Sequence, residues 1–130
     1  MSDFQKKLLV IGVVSLGGIL LFFAYQANKR ARNASERIQF YGEALDMLVK
    51  SDIPNYSDAI AKLQKSLSFA IPNSPQEGSI KIDLAVALHE KDLEEHRVTD
   101  SSFLLLKEPA LNENYSENKR ARAFRYIGTF

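Results

Sequence analysis

The hydrophobic pattern of the chain begins with an apolar stretch, Leu8 to Tyr25, whose eighteen residues include no charged side chain. A helix rises about 1.5 Å per residue, so this stretch would span roughly 27 Å, close to the thickness of a bilayer's hydrocarbon core. Basic residues end the stretch on its C-terminal side at Lys29, Arg30 and Arg32. The pattern therefore predicts one membrane-spanning helix.

A cleaved signal peptide or a buried helix would also produce an apolar segment near the N-terminus. A signal peptide has small residues three positions and one position before its cleavage site. Around Ala24 and Ala27, however, the partnering positions are occupied by the large residues Phe22 and Tyr25. A buried helix would need cover on every face, which the rest of a 130-residue chain could hardly provide. The sequence therefore favours an uncleaved anchor.

Helical periodicity continues after the anchor. The segment 26–50 contains no proline, so one helix could run straight out of the membrane, although Asn33 and Glu36 could instead cap a new helix. Its apolar residues follow the i, i+3, i+7, i+10 spacing of an amphipathic helix. A second amphipathic helix is predicted from Tyr56 to a stop at Pro72.

The second half of the chain is less clear. Apolar residues alternate between 80 and 88 as in a strand, but alanines fill the gaps and EKDLEE favours a helix, so we predict a helix over 79–97. A short helix is predicted at FLLLK, 103–107, ended by Pro109, and another helix after Ser116.

These elements predict an all-α protein in four parts. They are a short polar N-terminus at 1–7, a transmembrane helix at 8–25, a basic juxtamembrane segment at 26–34, and a helical domain at 35–130 with a basic and aromatic C-terminal helix.

The helical pattern recurs at a spacing of 43 residues. The positions that align are Gly42 with Ala85 and Gly128, Ala59 with Ser102, and Leu63 with Leu106. Self-similarity at a period of this length is typical of stacked helical hairpins.

Two segments resemble the tetratricopeptide repeat. Phe124 to Gly128, F-R-Y-I-G, matches the W-x-x-L-G spacing of that family's first helix, and Tyr56 to Asn73 is similar to its second helix and exit. The resemblance covers 35–130, although the unit is longer than the family's roughly 34 residues. It implies a small solenoid of about two and a half helical hairpins that binds other proteins.

An uncleaved anchor followed by such repeats is also similar to mitochondrial adaptors, including the import receptors of the outer membrane and the inner-membrane adaptor of the i-AAA protease. This resemblance implies a single-pass protein of a mitochondrial membrane. The four basic residues between 29 and 37 outweigh Lys6 and Lys7, which tends to keep the helical domain on the cytosolic or matrix side.

If the first helices line a concave surface, as they do in tetratricopeptide arrays, an acidic strip and an apolar strip are predicted to contact a partner. These residues are Gln39, Glu43 and Asp46 on one helix and Ile82, Val86 and His89 on another. A partner segment with lysine or arginine beside aliphatic residues would complement them. The alternation over 80–88 leaves open a second interpretation, in which Ile82 and Val86 belong to the core and the acids are solvated.

The anchor and two basic clusters supply further candidate contacts. Gly12, Ser15 and Gly18 lie near one face of the anchor and would let a second membrane helix approach closely, although glycine is also common in membrane helices. The sequence NKRAR occurs twice, and its surroundings are predicted to meet anionic lipid headgroups or a partner. The residues are Lys29, Arg30, Arg32, Lys119, Arg120, Arg122 and Arg125.

Composition removes several function classes. The chain has no cysteine, which excludes disulfides and thiolate chemistry, and its net charge of +1 gives no overall field for nucleic acid. We therefore expect no nucleic-acid partner. His89, Asp92 and His96 could share a helical face and hold a metal, but they lack a fourth ligand and read more simply as a solvated face.

The sequence also lacks a glycine-rich phosphate loop, an HExxH motif and a GxSxG motif. We accordingly expect no cofactor and no small-molecule substrate. The sequence predicts a non-catalytic interaction module anchored in a membrane, an accessory or scaffold subunit of a larger membrane protein complex. The alternative is a tethered adaptor or import-type receptor that binds soluble client proteins.

Overall fold

The computed structural model describes residues 2–50 and 52–130, and its regular secondary structure in these ranges is entirely α-helical. Five helices follow one another: α1 (Asp3–Val49), α2 (Tyr56–Ser68), α3 (Pro75–Glu94), α4 (Ser101–Leu111) and α5 (Glu117–Thr129). The all-α class is therefore confirmed. The chain divides into two compact units, Met1–Asn33 and Ala34–Phe130.

The first unit consists of the N-terminal part of α1. An 18-residue window of this helix has a mean hydropathy of 2.5, and none of the window is buried. By length and composition, the helix can cross a membrane. Because α1 continues without a break to Val49, the prediction of one helix running through the segment 26–50 is confirmed, and Asn33 does not cap a new helix.

Polar side chains begin three of the later helices. In each case a side-chain oxygen accepts a hydrogen bond from the backbone N–H of the residue three positions later. The capping residues are Asn55, Ser74 and Ser116, and the distances are 3.1, 3.2 and 3.3 Å. Each cap satisfies a donor that the first helical turn leaves free. These caps explain why α2, α3 and α5 begin where they do.

Three predicted helices have ends that differ from the structure. Helix α3 spans Pro75–Glu94 and not 79–97. Helix α2 stops at Ser68, before Pro72. Pro109 does not end α4, which continues to Leu111. A proline in the last turn removes only one backbone hydrogen bond, and the fully buried ring of Pro109 adds contacts in compensation. The prediction that Pro109 terminates the helix is therefore wrong.

Helix α3 lies at the centre of the second unit, where it packs against α2, α4 and α5. Ile80 and Leu84 belong to a core cluster with α1 and α2, whereas Ile82 and Ala85 belong to a second cluster with α4 and α5. A helix buried on two sides needs apolar residues on two faces. This double burial explains why the segment 80–88 alternates like a strand although it is helical.

The C-terminal part of α1 packs on α2. The rings of Phe40 and Phe69 stack with centroids 6.1 Å apart, and the Ser66 hydroxyl donates a 2.8 Å hydrogen bond to the backbone carbonyl of Arg37. Ala44 is completely buried in the same interface. These contacts attach the end of α1 to the helical domain.

The 43-residue spacing is reproduced in the second helices but not in the first. Ala59 and Ser102 are both buried, as are Leu63 and Leu106, so α2 and α4 use equivalent faces. Of the three aligned residues in the first helices, only Ala85 is buried. A Cβ added at Gly42 or Gly128 would meet nothing within 4 Å. Gly42, Ala85 and Gly128 therefore align in sequence but are not structurally equivalent, because α3 is covered on more sides than α1.

Helix α5 approaches α3 closely at Gly78. A Cβ at this position would lie 2.6 Å from Cδ of Lys119 and 3.3 Å from the ring of Tyr115. A larger residue here would have to displace the Lys119 side chain and shift the Tyr115 ring.

Replacing Gly78 by leucine is expected to lower the free energy of unfolding by about 1–3 kcal/mol, because the added side chain overpacks the contact between α3 and α5. The same change at exposed Gly42, which meets no neighbour, should instead raise stability by about 0.5–1 kcal/mol through helix propensity. Urea unfolding followed by circular dichroism would measure both. Equal effects at the two sites would show that Gly78 is not a packing position.

Candidate partner-binding groove

A groove of about 360 Å³ lies in the second unit, between the C-terminal part of α1, α3 and α5. We call it the α1–α3–α5 groove. Its lining residues are Arg37, Ile38 and Tyr41 of α1, Pro75, Gln76, Ser79 and Ile80 of α3, and Lys119 of α5.

A hydrogen-bonded network beside the groove joins the three helices. The Tyr41 hydroxyl donates to one carboxylate oxygen of Asp83, and the Arg122 guanidinium donates to the other at 2.6 Å. Burial and the bond to Asp83 raise the pKa of Tyr41, so its phenol stays protonated at neutral pH. Burial acts to lower the pKa of Arg122, but the Asp83 carboxylate outweighs it and raises that pKa.

Lys119 closes the groove on the α5 side. Its ammonium group donates to the backbone carbonyl of Pro75 at 2.6 Å and to the Ser79 hydroxyl. Burial, together with the positive charge of Arg122, lowers the pKa of Lys119.

The groove is consequently positive. Arg37 and Lys119 line it, whereas Arg122 and the nearby carboxylate of Asp83 pair with and compensate each other. Apolar surface accompanies the charges, since Ile38 is 64% exposed. A positive groove with an exposed aliphatic side chain can bind a segment that carries carboxylates beside an apolar residue.

A second network stabilises the N-terminal end of α3. The Tyr115 hydroxyl donates to Glu77 at 2.6 Å, and Lys81 lies 3.2 Å from Glu77 and 3.0 Å from Glu108. Burial acts to raise the pKa of Glu77, but the hydrogen bonds from Tyr115 and Lys81 outweigh it and lower that pKa. The folded domain therefore favours the ionised form of this carboxyl group.

Stability is expected to fall in acid partly through Glu77. Its folded pKa lies below the ordinary value of 4.5, so its contribution is fully present above pH 4.5 and is lost as the pH falls through the folded pKa. Glu77→Gln should flatten the loss of unfolding free energy between neutral pH and pH 3. The matched change Glu94→Gln, at an exposed residue of the same helix, should leave the pH dependence unchanged. Parallel profiles for wild type and Glu77→Gln would contradict this prediction.

The structure does not assemble the predicted acidic and apolar strips into one surface. Ile82 is completely buried in the core between α3, α4 and α5, so the prediction that it contacts a partner is wrong. Its burial follows from the second covered face of α3. For Ile82 alone, this outcome agrees with the second interpretation of the alternating segment.

The acidic residues of the first strip lie away from the groove. Glu43 pairs with Lys62 of α2 at 2.7 Å and accepts a hydrogen bond from Gln39 at 3.1 Å, and these hydrogen bonds lower its pKa. Asp46 pairs with Lys50 at 3.0 Å on the exposed side of α1. The residues of α1 that do line the groove include Ile38 and Tyr41, which lie three positions apart on the helix.

The remaining two residues of the apolar strip lie in different places. Val86 is half-buried and follows Ser79 and Asp83 at helical spacing, which puts it on the groove side of α3. The His89 ring stacks on Phe130, the residue that follows α5, with centroids 3.9 Å apart. For Gln39, Glu43, Asp46, Val86 and His89, contact with a partner stays a prediction.

His89, Asp92 and His96 do not share one helical face, because α3 ends at Glu94 and His96 follows with a φ of 54°. Asp92 accepts a hydrogen bond from the Thr99 hydroxyl and lies 3.7 Å from Arg97. The described residues contain no group of three or more potential metal ligands.

The second basic cluster is largely used inside the domain. Besides Lys119 and Arg122, Arg120 donates to the backbone carbonyl of Ala110 at 3.4 Å, while Arg125 is exposed.

Sequence reasoning missed the role of Asp83. A lone carboxylate within the apolar run 80–88 was the available signal, because such a group needs a cationic or hydrogen-bonding partner when it is covered.

No family model, curated protein or solved structure matches this chain.

Proposed function

We propose that this chain is a non-catalytic protein-interaction module held at a membrane, an accessory or scaffold subunit of a larger membrane protein complex. One observation carries the proposal: the helix that can cross a membrane continues without a break into a wall of the positive groove. A partner bound there would be tethered to the anchor by continuous helix.

The chemistry of the groove supports binding rather than catalysis. Tyr41, Asp83 and Arg122 satisfy one another, and the raised pKa of Tyr41 keeps its phenol from acting as a base or nucleophile at neutral pH. Lys119 is likewise held by Pro75 and Ser79. Groups fixed in this way present a constant charged surface.

The shared burial of Ala59 with Ser102 and of Leu63 with Leu106 supports a repeated hairpin of the tetratricopeptide kind. In such arrays the first helices form the binding surface, and the groove lies between α1, α3 and α5. The similarity of this architecture to mitochondrial adaptors supports a mitochondrial membrane. The basic residues after the anchor favour a domain on the cytosolic or matrix side.

The partner segment that best fits the groove is acidic. Glutamate or aspartate side chains would meet the positive charges of Arg37 and Lys119, and an aliphatic side chain would cover Ile38. This replaces the basic partner expected from sequence, because Glu43 and Asp46 do not line the groove.

Purification of the full-length protein in a mild detergent, followed by mass spectrometry of what co-purifies, tests the proposal. We expect stoichiometric membrane-complex subunits, and Arg37→Glu should reduce their recovery several-fold. Lys107→Glu, an equal charge reversal on α4 outside the groove, should not.

The alternative outcomes are distinct. Substoichiometric soluble clients would favour the adaptor or import-type receptor. Equal recovery with Arg37→Glu and Lys107→Glu would exclude the groove as the contact surface. Recovery of no partner at all would contradict the proposed function.

A further inference from the structure

The C-terminal end of α3 carries two exposed carboxylates, Glu90 and Glu94, and neither forms an ion pair within the described part of the chain. The basic residues beside them have other partners, since Lys91 lies 3.8 Å and Arg97 3.3 Å from Glu95. Like charges four residues apart on a helix repel, and carboxylates in the last turn meet the negative end of the helix dipole. This arrangement is unfavourable within one chain and favours a positive partner.

An exposed leucine accompanies these carboxylates. Leu93 is 57% exposed, and it shares one face of α3 with Glu90 and Glu94 because the three residues are three and four positions apart. We call these three residues the acidic segment. Carboxylates beside an aliphatic side chain are the chemistry that fits the α1–α3–α5 groove.

The groove in turn has two cations without a carboxylate partner. Among the described residues, the guanidinium of Arg37 forms no ion pair, and the ammonium of Lys119 is bound by the neutral oxygens of Pro75 and Ser79. The two ends of α3 therefore carry uncompensated charge of opposite sign. The charge is positive at the groove and negative at the acidic segment.

Both patches lie on the same side of α3. Ser79 lines the groove, and Asp83, Val86, Glu90 and Glu94 follow it at intervals of three or four residues. Two copies with antiparallel α3 helices can therefore place the acidic segment of each against the groove of the other. A contact made twice around a two-fold axis closes into a dimer and does not extend into a filament.

We propose that a second copy of this chain occupies the α1–α3–α5 groove. The acidic segment of each copy meets Arg37 and Lys119 of the other, and Leu93 covers Ile38. This inference rests on the proposed role of the groove as a partner site, and it means that the complex contains at least two copies. The contact is lost on dilution, so the unfolding control Glu94→Gln still reports on an unpaired carboxylate.

Co-purification of two differently tagged full-length copies in a mild detergent tests the contact. We expect the wild-type tags to co-purify with the mass of a dimer. Arg37→Glu in both copies should lower co-purification several-fold, and so should the paired change Glu90→Arg, Glu94→Arg. Lys107→Glu and Asp52→Arg, charge reversals at exposed residues outside both patches, should leave it unchanged.

A mixture of the two defective variants is the sharpest test. A copy with Arg37→Glu and a copy with Glu90→Arg, Glu94→Arg form one contact with wild-type charges and one contact with both charges reversed. Co-purification should therefore rise several-fold above that of either variant alone. Such a recovery would also show that both variants are folded.

Three results would overturn the proposal. The first is that the wild-type tags do not co-purify. The second is co-purification that no charge reversal lowers, which would place the contact elsewhere, such as between the anchors. The third is a mixture that does not recover although the circular dichroism of each variant matches that of the wild type.

The proposed function is tested separately by the recovery of other membrane subunits. If Arg37→Glu lowers that recovery but leaves co-purification of the two tags unchanged, the groove binds another subunit and only the self-contact is wrong. If Arg37→Glu lowers neither, the self-contact and the groove as a partner site are both wrong.

Discussion

Leu106→Ala is expected to destabilise the helical domain by about 2–5 kcal/mol, enough to unfold much of it under conditions where the wild type is folded. Leu106 is completely buried in the cluster that joins α3, α4 and α5. Its truncation removes apolar contacts from all three helices and leaves a cavity. Because a domain of this size is stable by only about 5–15 kcal/mol, the loss is a large fraction of the total.

Leu104→Ala, two residues away on the same helix, is the matched control. Leu104 is 56% exposed, so its truncation should change stability by less than about 0.5 kcal/mol. Urea unfolding of both full-length variants, followed by amide hydrogen exchange of α3 to α5, would compare them. Similar midpoints would show that the cluster around Leu106 does not hold the domain together.

Placing two arginines in the middle of the apolar segment is expected to abolish stable membrane association. Each arginine at the centre of a spanning helix costs about 2.5–3.5 kcal/mol on insertion scales. The wild-type protein should remain in the pellet after alkaline carbonate extraction, and the double variant Leu16→Arg, Leu20→Arg should move to the supernatant. Both leucines are exposed within the apolar window of α1.

Val49→Arg controls for the added charge, because Val49 is 79% exposed at the end of the same helix and lies outside the apolar stretch. This variant should stay in the pellet. Extraction of the wild-type protein by carbonate would show that Leu8 to Tyr25 does not span the membrane.

Local signals in the sequence were sufficient for most of the secondary structure. Asn55, Ser74 and Ser116 are side chains that cap helices, and each does so here. The apolar stretch from Leu8 to Tyr25 could be recognised because a run of this length without charge is itself the property that bilayer insertion requires. The errors at Pro72 and Pro109 arose because a proline marks where a helix can end, whereas packing decides where it does.

The partner surface could not be predicted in the same way. Helical periodicity alone placed Ile82 beside Val86 on one candidate strip. It could not show that α3 is covered by α2 on one face and by α4 on another. Burial of Ile82 follows from that second cover. Likewise, Glu43 is an exposed acid in a helical projection, and only the position of Lys62 on α2 reveals that its charge is already compensated.

The sequence by itself determined the helical class, the segment able to cross a membrane and the starts of α2 and α5, because each depends on residues within a few positions of one another. Only the tertiary structure decided the sign and composition of the groove. Arg37, Asp83 and Lys119 belong to three different helices, and Asp83 meets Tyr41 and Arg122 across 42 and 39 residues of chain. Electrostatic complementarity over such separations depends on how helices pack, which local pattern does not contain.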